Sequence, residues 1–422
     1  MMGALIAAKS LLRHLRPRRR RLKYAVFTVA MLILCRVVTM VPVFRQTLQG
    51  YLGIGDRIWG LLLSCSTGAG LFTVLIGGFL VDRWGPRRVL RLGLIGVAAA
   101  LACLALAGAN WILLAVSLAF YGMTVRPLAV AVSGYLVRLF PENRRRVLSL
   151  NFAGTSVGSM MFPAVAEGLL HLSRSVPAIS FAMVFHGPFA AVALLVLAGN
   201  FFYRRKVSFA HTEGDGGREW CWRDMLLARR FWPVIGLMVL HGTADSILHL
   251  WMARFLGSDA FAARPIGPGY VISGYAVAYV VSRTMLGMIP EDFGRRAFMV
   301  VPGLLGGGVM VLGILSHSYL LTAGGYVLGA FLWSAEYPAM LSLLAHEQPD
   351  RFGAVMSLHQ LLCAGAVFLG LNGMGYLVSG LGEASMWKAM LIPACGFPLV
   401  GLGAAGWLLL YGDELRPLTE GQ

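Results

Sequence analysis

Acidic residues are scarce in this 422-residue chain. Asp and Glu together number 19 against 36 Lys and Arg, charged residues make up only 13% of the sequence, and 58% is hydrophobic. The mean hydropathy of +0.72 lies far outside the balance of a soluble domain, because so few polar side chains cannot cover a water-facing surface. The composition therefore predicts an integral membrane protein.

The sequence also lacks paired cysteines and the motifs of nucleotide-binding or catalytic sites. Its cysteines are scattered, mostly inside apolar runs, where they behave as small hydrophobic residues: Cys35, Cys65, Cys103, Cys221, Cys363 and Cys395. No glycine-rich turn ends in the Gly-Lys-Ser/Thr of a phosphate-binding loop. We therefore expect a protein that is not an enzyme and that holds no cofactor.

Long apolar runs divide the chain into twelve predicted spans, since crossing a bilayer takes about 20 helical residues. The first six are residues 24–45, 57–81, 89–107, 111–138, 148–170 and 179–203; the second six are 231–255, 267–289, 297–316, 319–344, 354–379 and 386–411. Residues 204–230 form the polar linker between the two sets and contain a candidate interfacial helix. A basic tail, residues 1–23, and a short polar tail, residues 412–422, complete the predicted organisation.

The net charge of +17 is concentrated on one side of these spans. Most of the Lys and Arg fall in the two tails, the linker and the loops on the same side, which predicts cytoplasmic termini in a plasma (bacterial inner) membrane. The basic tail is expected on anionic membrane lipid rather than on nucleic acid. A cleaved signal peptide is the competing interpretation, but the apolar run that follows is too long and has no small-residue cleavage site.

One motif occurs twice, at an offset of 209 residues. The copy after the second span consists of Gly78, Asp82, Arg83, Gly85, Arg87 and Arg88, and the copy after the eighth span consists of Gly287, Glu291, Gly294, Arg295 and Arg296. In the first copy an apolar helix ends near Val81, Gly85 and Pro86 reverse the chain, and the arginines lie at the hydrated interface. The repeat predicts a chain built from two copies of one half.

This pattern, Gly-x-x-x-Asp-Arg-x-Gly-x-Arg-Arg, resembles the signature of the major facilitator superfamily. The second copy departs from it, with Glu291 for the aspartate and Asp292 for the following base. The resemblance implies an all-α membrane protein with twelve transmembrane helices in two pseudo-symmetric six-helix bundles, which rock about a central site in a secondary transporter. It also implies that Asp82 holds its loop against the opposite bundle in one conformational state.

Two shorter resemblances concern the substrate. Arg36-Val37, followed by residues 52–56, is similar to the anion:cation symporters. Arg283, four residues before Gly287, is similar to the eighth helix of the monocarboxylate and oxalate/formate transporters, where the family's arginine binds the substrate carboxylate. A structural arginine near the cytoplasmic end of the helix is the alternative interpretation of Arg283.

Ionisable residues at mid-helix depth indicate the candidate site, since a charge there costs about 2.5 to 3.5 kcal/mol and usually faces a cavity or a partner. The first span carries Arg36 and the fourth carries Arg126. Asp245 lies at the position in the second half equivalent to Arg36, and Glu336 lies one residue past the equivalent of Arg126. We expect the arginines to grip an anionic substrate, because a planar guanidinium fits a carboxylate or phosphate. A brace of ion pairs with the two acids is the structural alternative.

His241, Asp245 and His249 share one face of the seventh predicted helix. They would spread over about 12 Å along that helix, too far to hold one metal ion, so no metal is expected. A proton path is the preferred interpretation, in which Asp245 or Glu336 gains and loses a proton and the histidines titrate near neutral pH. Glu167, near the outer end of the fifth span, is a further candidate.

These observations predict a monomeric, proton-coupled transporter that takes up a small organic anion of the carboxylate type by alternating access. An exporter of amphipathic or lipid-like compounds is one alternative, which predicts an aromatic cavity and little dependence on the arginines. A non-transporting membrane scaffold or sensor on the same fold is another, with the basic tail and linker as its working surface.

Overall fold

The computed structural model describes residues 21–140, 144–176, 178–204, 232–261, 264–288, 295–347, 352–382 and 385–412, apart from a few side chains within these ranges. Within this part of the chain all regular structure is helical. The basic tail up to residue 20, the linker with its candidate interfacial helix, and the end of the C-terminal tail lie outside the described residues.

The N-terminal bundle begins with helix α1, residues 21–35, which continues as a 3-10 turn, Arg36–Met40. It continues with α2 (Arg45–Leu52), α3 (Asp56–Trp84), α4 (Pro86–Leu106), α5 (Trp111–Leu139), α6 (Arg144–Ser175) and α7 (Phe181–Asn200), which is extended by the 3-10 turn Phe201–Arg204. The sequence predicts one continuous helix over residues 24–45. In the structure this helix ends in the 3-10 turn at Met40, and the separate short helix α2 begins at Arg45. The chain turns at residues 41–44 and α2 lies across the end of the bundle next to α8.

The C-terminal bundle contains α8 (Trp232–Leu256), α9 (Pro268–Met288), α10 (Arg295–Leu315), α11 (Tyr319–Trp333), α12 (Glu336–Glu347), α13 (Phe352–Leu381) and α14 (Met386–Tyr411). The predicted tenth span is divided into α11 and α12 by a break at Ser334 and Ala335. With the short helix α2 left out and α11 and α12 counted as one, the described residues form twelve spans. In this part of the chain, eight helices are long and apolar enough to cross a membrane by length and composition.

Tight turns connect neighbouring helices where the sequence supplies the right residue. Gly85 ends α3 with φ of +80°, a conformation that glycine adopts without a steric cost, and Pro86 starts α4. Asn110 caps α5, because its side-chain oxygen accepts hydrogen bonds from the backbone N–H groups of Ile112 and Leu113. These short connections keep sequential helices antiparallel and adjacent.

The two bundles meet along two helix pairs, α3 with α13 and α6 with α9. In the first pair the backbones nearly touch: a Cβ atom at Gly60 would lie 2.9 Å from the Cα atom of Gly375. Further along the same pair, Asn372 donates a hydrogen bond of 2.7 Å to Ser64. The bundles are therefore in direct contact over the half of α3 that precedes Gly70.

Polar contacts between the bundles lie at the end that carries α2 and residues 257–267, which we call the distal end. Asp56 at the start of α3 forms an ion pair with Arg45 of α2 and lies 3.5 Å from Arg254 of α8. On the other side, the Glu167 carboxylate of α6 accepts a 2.8 Å hydrogen bond from the backbone N–H of Gly269 in α9. The structure therefore shows the distal end closed.

Candidate functional site

Arg36 is held where α1 changes into its 3-10 turn. The hydroxyl of Tyr121 donates a hydrogen bond of 2.6 Å to the carbonyl of Cys35, which fixes the end of α1 against α5. The Arg36 guanidinium donates to the Ser159 hydroxyl of α6 through Nε at 3.3 Å and Nη2 at 3.0 Å. Gly158 allows this approach, since a Cβ atom there would lie 2.7 Å from the Cβ of Arg36. A serine hydroxyl is neutral, so the guanidinium charge stays available to a ligand.

Arg126 lies in α5 with its side chain against α3, where Gly70 makes room for it: a Cβ atom at Gly70 would lie 2.8 Å from the Arg126 Cγ. Arg36, Tyr121 and Cys363 are close enough to Arg126 to interact with it electrostatically. Among the described residues, no oxygen accepts a hydrogen bond from its guanidinium. A partly buried guanidinium to which no described residue offers an acceptor is a strong candidate for binding an anion.

Asp245 lies on the opposite wall, in α8, within an aromatic cluster of the C-terminal bundle. Its Oδ1 atom accepts hydrogen bonds from the hydroxyl of Tyr279 at 2.7 Å, from Nε1 of Trp333 at 3.2 Å, and from the hydroxyl of Tyr275. No described residue donates to Oδ2, and the side chain is only partly buried. One carboxylate oxygen is therefore fixed by three neutral donors, and the other remains available.

Stacked rings keep these donors in place. Tyr275 lies between Tyr326 and Tyr279, with ring centroids 4.6 and 4.7 Å away, and Trp333 stacks on Phe397 at 4.0 Å. These five rings are buried, so they provide a rigid support for Asp245 rather than a free aromatic surface. Tyr275 and Tyr279 are four residues apart on α9 and present one face to Asp245.

His249 and Arg283 lie at the edges of this aromatic cluster. The Nδ1 atom of His249 is 2.9 Å from the hydroxyl of Tyr326, and its ring packs 4.8 Å from Tyr275. Arg36 of the other bundle is close enough to His249 to interact electrostatically. Arg283 lies over the ring of Tyr279 at 4.6 Å, a cation–π contact, and its Nε has no hydrogen-bond partner in the described structure.

Cys363 of α13 connects the two walls of the site. It is close enough to both Arg126 and Asp245 to interact electrostatically with each. A Cβ atom on Gly242, one helical turn before Asp245, would lie 2.7 Å from its sulfur. Arg36, Arg126 and Asp245 therefore lie near one another at the interface between the bundles. No two of the four predicted residues, Arg36, Arg126, Asp245 and Glu336, all described here, form an ion pair.

Glu336 is placed differently from Asp245. It is fully buried at the start of α12, where its Oε2 lies 2.7 Å from Nδ1 of His241. Its Oε1 has no hydrogen-bond partner in the described structure and lies against α10, where a Cβ atom at Gly303 would be 2.1 Å away. The position equivalent to Arg126 is Ala335, and one residue corresponds to about 100° around a helix, which moves the Glu336 side chain to another face. The expected symmetry of two acids facing two arginines is therefore incomplete.

The three residues on one face of α8 have separate partners. His241 contacts Glu336, Asp245 contacts the tyrosines of α9, and His249 contacts Tyr326. Within the described residues there is no group of three or more His, Cys, Asp or Glu side chains that could hold a metal ion.

The sequence model of the Major Facilitator Superfamily matches residues 26–263, more than half of the chain. This chain belongs to the major facilitator superfamily. It is therefore an integral membrane protein of a transporter family, and the predicted all-α fold with two six-helix bundles is confirmed.

Solved structures of the superfamily show the same architecture. The inward-facing, occupied structure of a bacterial homolog to the human lysosomal transporter Spinster has a TM-score of 0.74 at 12% identity, covering 94% of this chain and 99% of that one. The fucose:proton symporter FucP of E. coli has a TM-score of 0.61 at 15% identity, covering 92% and 98%. At these identities the likeness establishes the fold alone.

A sequence relative with a named class of substrate matches a shorter segment. "Probable anion transporter 3, chloroplastic" of Arabidopsis thaliana is 33% identical over 147 residues, which are 33% of this chain and 28% of that protein. The matched segment is thus under a third of the relative's length.

The superfamily loop motif is described only in part. Arg87 donates hydrogen bonds to the carbonyl of Tyr203 at the end of α7, with Nε at 2.9 Å, and Arg296 donates to the carbonyl of Gly412 at 2.7 Å. Arg83 and Arg88 are exposed at the end of α3 and the start of α4. The side chains of the other motif residues lie outside the described part of the chain: Gly78, Asp82, Gly287, Glu291, Gly294 and Arg295.

Sequence reasoning missed the two distal contacts between the bundles. Asp56 was noted only as part of a short resemblance, and Arg254 was not singled out. Glu167, a proton-path candidate, accepts a hydrogen bond from Gly269 at the start of α9. The sequence does contain one sign of the aromatic cluster: Tyr275 and Tyr279 are four residues apart and therefore share one face of a helix.

Proposed function

We propose that this superfamily member takes up a small organic anion together with protons, by alternating access, as a monomer. The observation that supports the anion most directly is Arg126, a partly buried guanidinium to which no described residue offers an acceptor. Arg36 lies beside it and is bonded only to a neutral serine. Two adjacent cations on one wall favour a ligand with a carboxylate or a phosphate. The relative named as an anion transporter agrees with this substrate class.

Arg283 is proposed as a third cation for the substrate, in an outer position. It is separated from Asp245 by the ring of Tyr279 and has an unpaired Nε. An anion moving along the site between the bundles would meet Arg283 after it leaves Arg36 and Arg126.

Two groups are proposed for proton coupling. Asp245, with His249 nearby, borders the site itself and could exchange a proton with it directly. The Glu336 and His241 pair is buried behind the site, and its 2.7 Å contact is short enough to transfer a proton between the two side chains. Uptake together with a proton follows if one of these groups is protonated whenever the anion is bound.

The alternative of an exporter for amphipathic compounds takes its support from the aromatic cluster around Asp245. Those rings stack mainly on one another and are buried, which leaves little aromatic face for a ligand. The anion hypothesis is therefore preferred. The scaffold or sensor alternative depends on the basic tail and linker, which lie almost entirely outside the described residues.

A thermal-shift panel on the purified protein tests the proposal. The probes are carboxylates of two to six carbons, inorganic phosphate and tetraphenylphosphonium. We expect at least one anion to raise the unfolding temperature of the wild type and to lose its effect in Arg126→Gln. Arg264→Gln is the matched control, since Arg264 pairs with Asp259 at the distal surface, away from the site. Stabilisation by tetraphenylphosphonium alone, unchanged in Arg126→Gln, would favour the exporter.

A further inference from the structure

We infer that the substrate is a zwitterion, whose anionic group binds between Arg36 and Arg126 and whose protonated amine binds the Asp245 carboxylate. This inference rests on the proposed anion site and adds a second recognition point on the opposite wall. It also changes the role of Asp245 from proton carrier to substrate ligand.

The geometry of Asp245 supports this role. Three neutral donors, Tyr275, Tyr279 and Trp333, converge on Oδ1 and hold the carboxylate plane in one orientation. The second oxygen, Oδ2, has no donor among the described residues, and Asp245 is partly exposed. The structure thus presents one oriented carboxylate oxygen, and no described residue forms an ion pair with it.

Among the described residues, no ion pair involves the two arginines on the opposite wall either. Arg36 and Arg126 are near Asp245, through His249 and Cys363 respectively, yet neither forms an ion pair with it. Charges of opposite sign on the two walls of one site, kept apart, match a ligand that carries both signs. A simple anion would satisfy the arginines but would leave the Asp245 carboxylate without a cation in a partly desolvated space, which is unfavourable.

The close packing of the helices at this interface also favours a small ligand. Arg126 packs against α3 at Gly70, and α13, which carries Cys363, packs against α3 two residues earlier, at Gly68. An amino acid places its carboxylate and amine a few bonds apart, and the length of its carbon chain sets that separation. The class is therefore small amino acids, with the amine on the α carbon or at the end of the chain.

This assignment leaves the coupling proton to the buried pair of His241 and Glu336. The pair is separated from Asp245 by Trp333 and Phe397, since His241 packs edge-on against Phe397, which stacks on Trp333. A proton on this pair and an amine on Asp245 would then occupy different places in the same bundle.

The test compares matched ligands on the purified wild-type protein. Each α- and ω-amino acid of two to six carbons is paired with the carboxylate of equal length that lacks the amine, and affinities are measured by isothermal titration calorimetry at neutral pH. We expect at least one amino acid to bind about tenfold or more tightly than its matched carboxylate. In Asp245→Asn that preference should fall to about twofold or less, while the carboxylate alone binds as before.

Arg126→Gln should weaken both members of the pair. If every carboxylate binds as tightly as its amino acid in the wild type, the zwitterion inference is wrong and the anion site stands. If neither series binds and phosphate also fails, the anion site itself is wrong. The wild-type comparison decides the inference even if Asp245→Asn does not fold, because it needs no variant.

Discussion

Arg87 and Arg296 make the same contact in the two halves of the protein. Each donates to a backbone carbonyl 116 residues later in the chain, Tyr203 for the first and Gly412 for the second. Both carbonyls lie at the end of the last helix of their bundle, where no helical N–H remains to pair with them. The second half thus keeps this contact although its motif departs from the signature at Glu291.

Removing this contact should destabilise the bundle. Arg87→Ala removes a charged donor at a helix C-terminus, for which about 1 to 2 kcal/mol is a reasonable loss. We expect a clearly lower thermal unfolding midpoint for Arg87→Ala than for Arg88→Ala, because Arg88 is exposed at the start of α4. Equal midpoints for the two variants would show that the contact contributes nothing measurable.

Arginine geometry at the site gives a second prediction. Arg36→Lys or Arg126→Lys keeps the charge but removes the planar guanidinium, which can donate two parallel hydrogen bonds to an anion. One hydrogen bond to the anion is therefore lost. The expected cost is about 1.5 to 3 kcal/mol, or roughly a ten- to hundredfold weaker ligand affinity, with little change in stability. Arg264→Lys is the control. Unchanged affinity in both site variants would mean that the guanidinium fork does not contact the ligand.

The distal ion pair should bias the conformational equilibrium. Asp56→Asn removes the charge that lies between the buried Arg45 and Arg254, so the distal end should open more often, by about 1 kcal/mol because the Asp56 carboxylate itself is partly exposed. Spin labels at Ala109→Cys and Ala260→Cys, in a background without other cysteines, report the opening as a longer distance population.

Glu167→Gln is the matched control for Asp56→Asn. A glutamine oxygen still accepts the hydrogen bond from Gly269, so this variant should leave the distance distribution close to wild type. A shift in Glu167→Gln as large as that in Asp56→Asn would indicate that any charge change at the distal end opens it.

Proton coupling should depend on Glu336. In proteoliposomes, Glu336→Gln should still exchange labelled substrate across the membrane, because exchange needs no net proton movement, but it should not accumulate substrate in response to a pH gradient. Asp245→Asn should show the reverse defect, with weaker amino-acid binding and retained gradient dependence. Full gradient-driven accumulation by Glu336→Gln would exclude it as the carrier of the proton.

The orientation of the chain in the membrane can be measured directly. A cysteine at Gly216, with Cys221→Ser and the other cysteines removed, should react with an impermeant thiol reagent only after the cells are permeabilised. Ala109→Cys at the distal end should react in intact cells. The opposite pattern would place the termini outside the cytoplasm.

Repeats and helices were predictable from the sequence, because each span needs about 20 apolar residues and the motif recurs at a fixed offset. A charge at mid-helix depth marks Arg36, Arg126 and Asp245 as candidates, but their placement around one site was an expectation from the superfamily resemblance. The place of Glu336 was not predictable, because a shift of one residue turns a helical side chain by about 100° and hydropathy does not record it.

Contacts between segments far apart in the sequence could not be predicted either. Asp56 and Arg254 are 198 residues apart and lie at helix ends, where charged residues are common and carry no information about their partners. The aromatic cluster around Asp245 was hidden for a different reason. Its donors lie in apolar helices, where an aromatic side chain faces lipid as readily as it faces the protein. Only the folded bundle shows that Tyr275, Tyr279 and Trp333 donate to one carboxylate.

The glycine contact between α3 and α13 bears on how fast the distal end can close. Gly60 and Gly375 meet through their backbones, so no side chain has to select a rotamer when the two helices come back together. The activation entropy of closing should therefore be small along this pair of helices. Gly375→Leu would add a rotamer search and a steric obstacle, and the closing rate would then fall and become more strongly dependent on temperature.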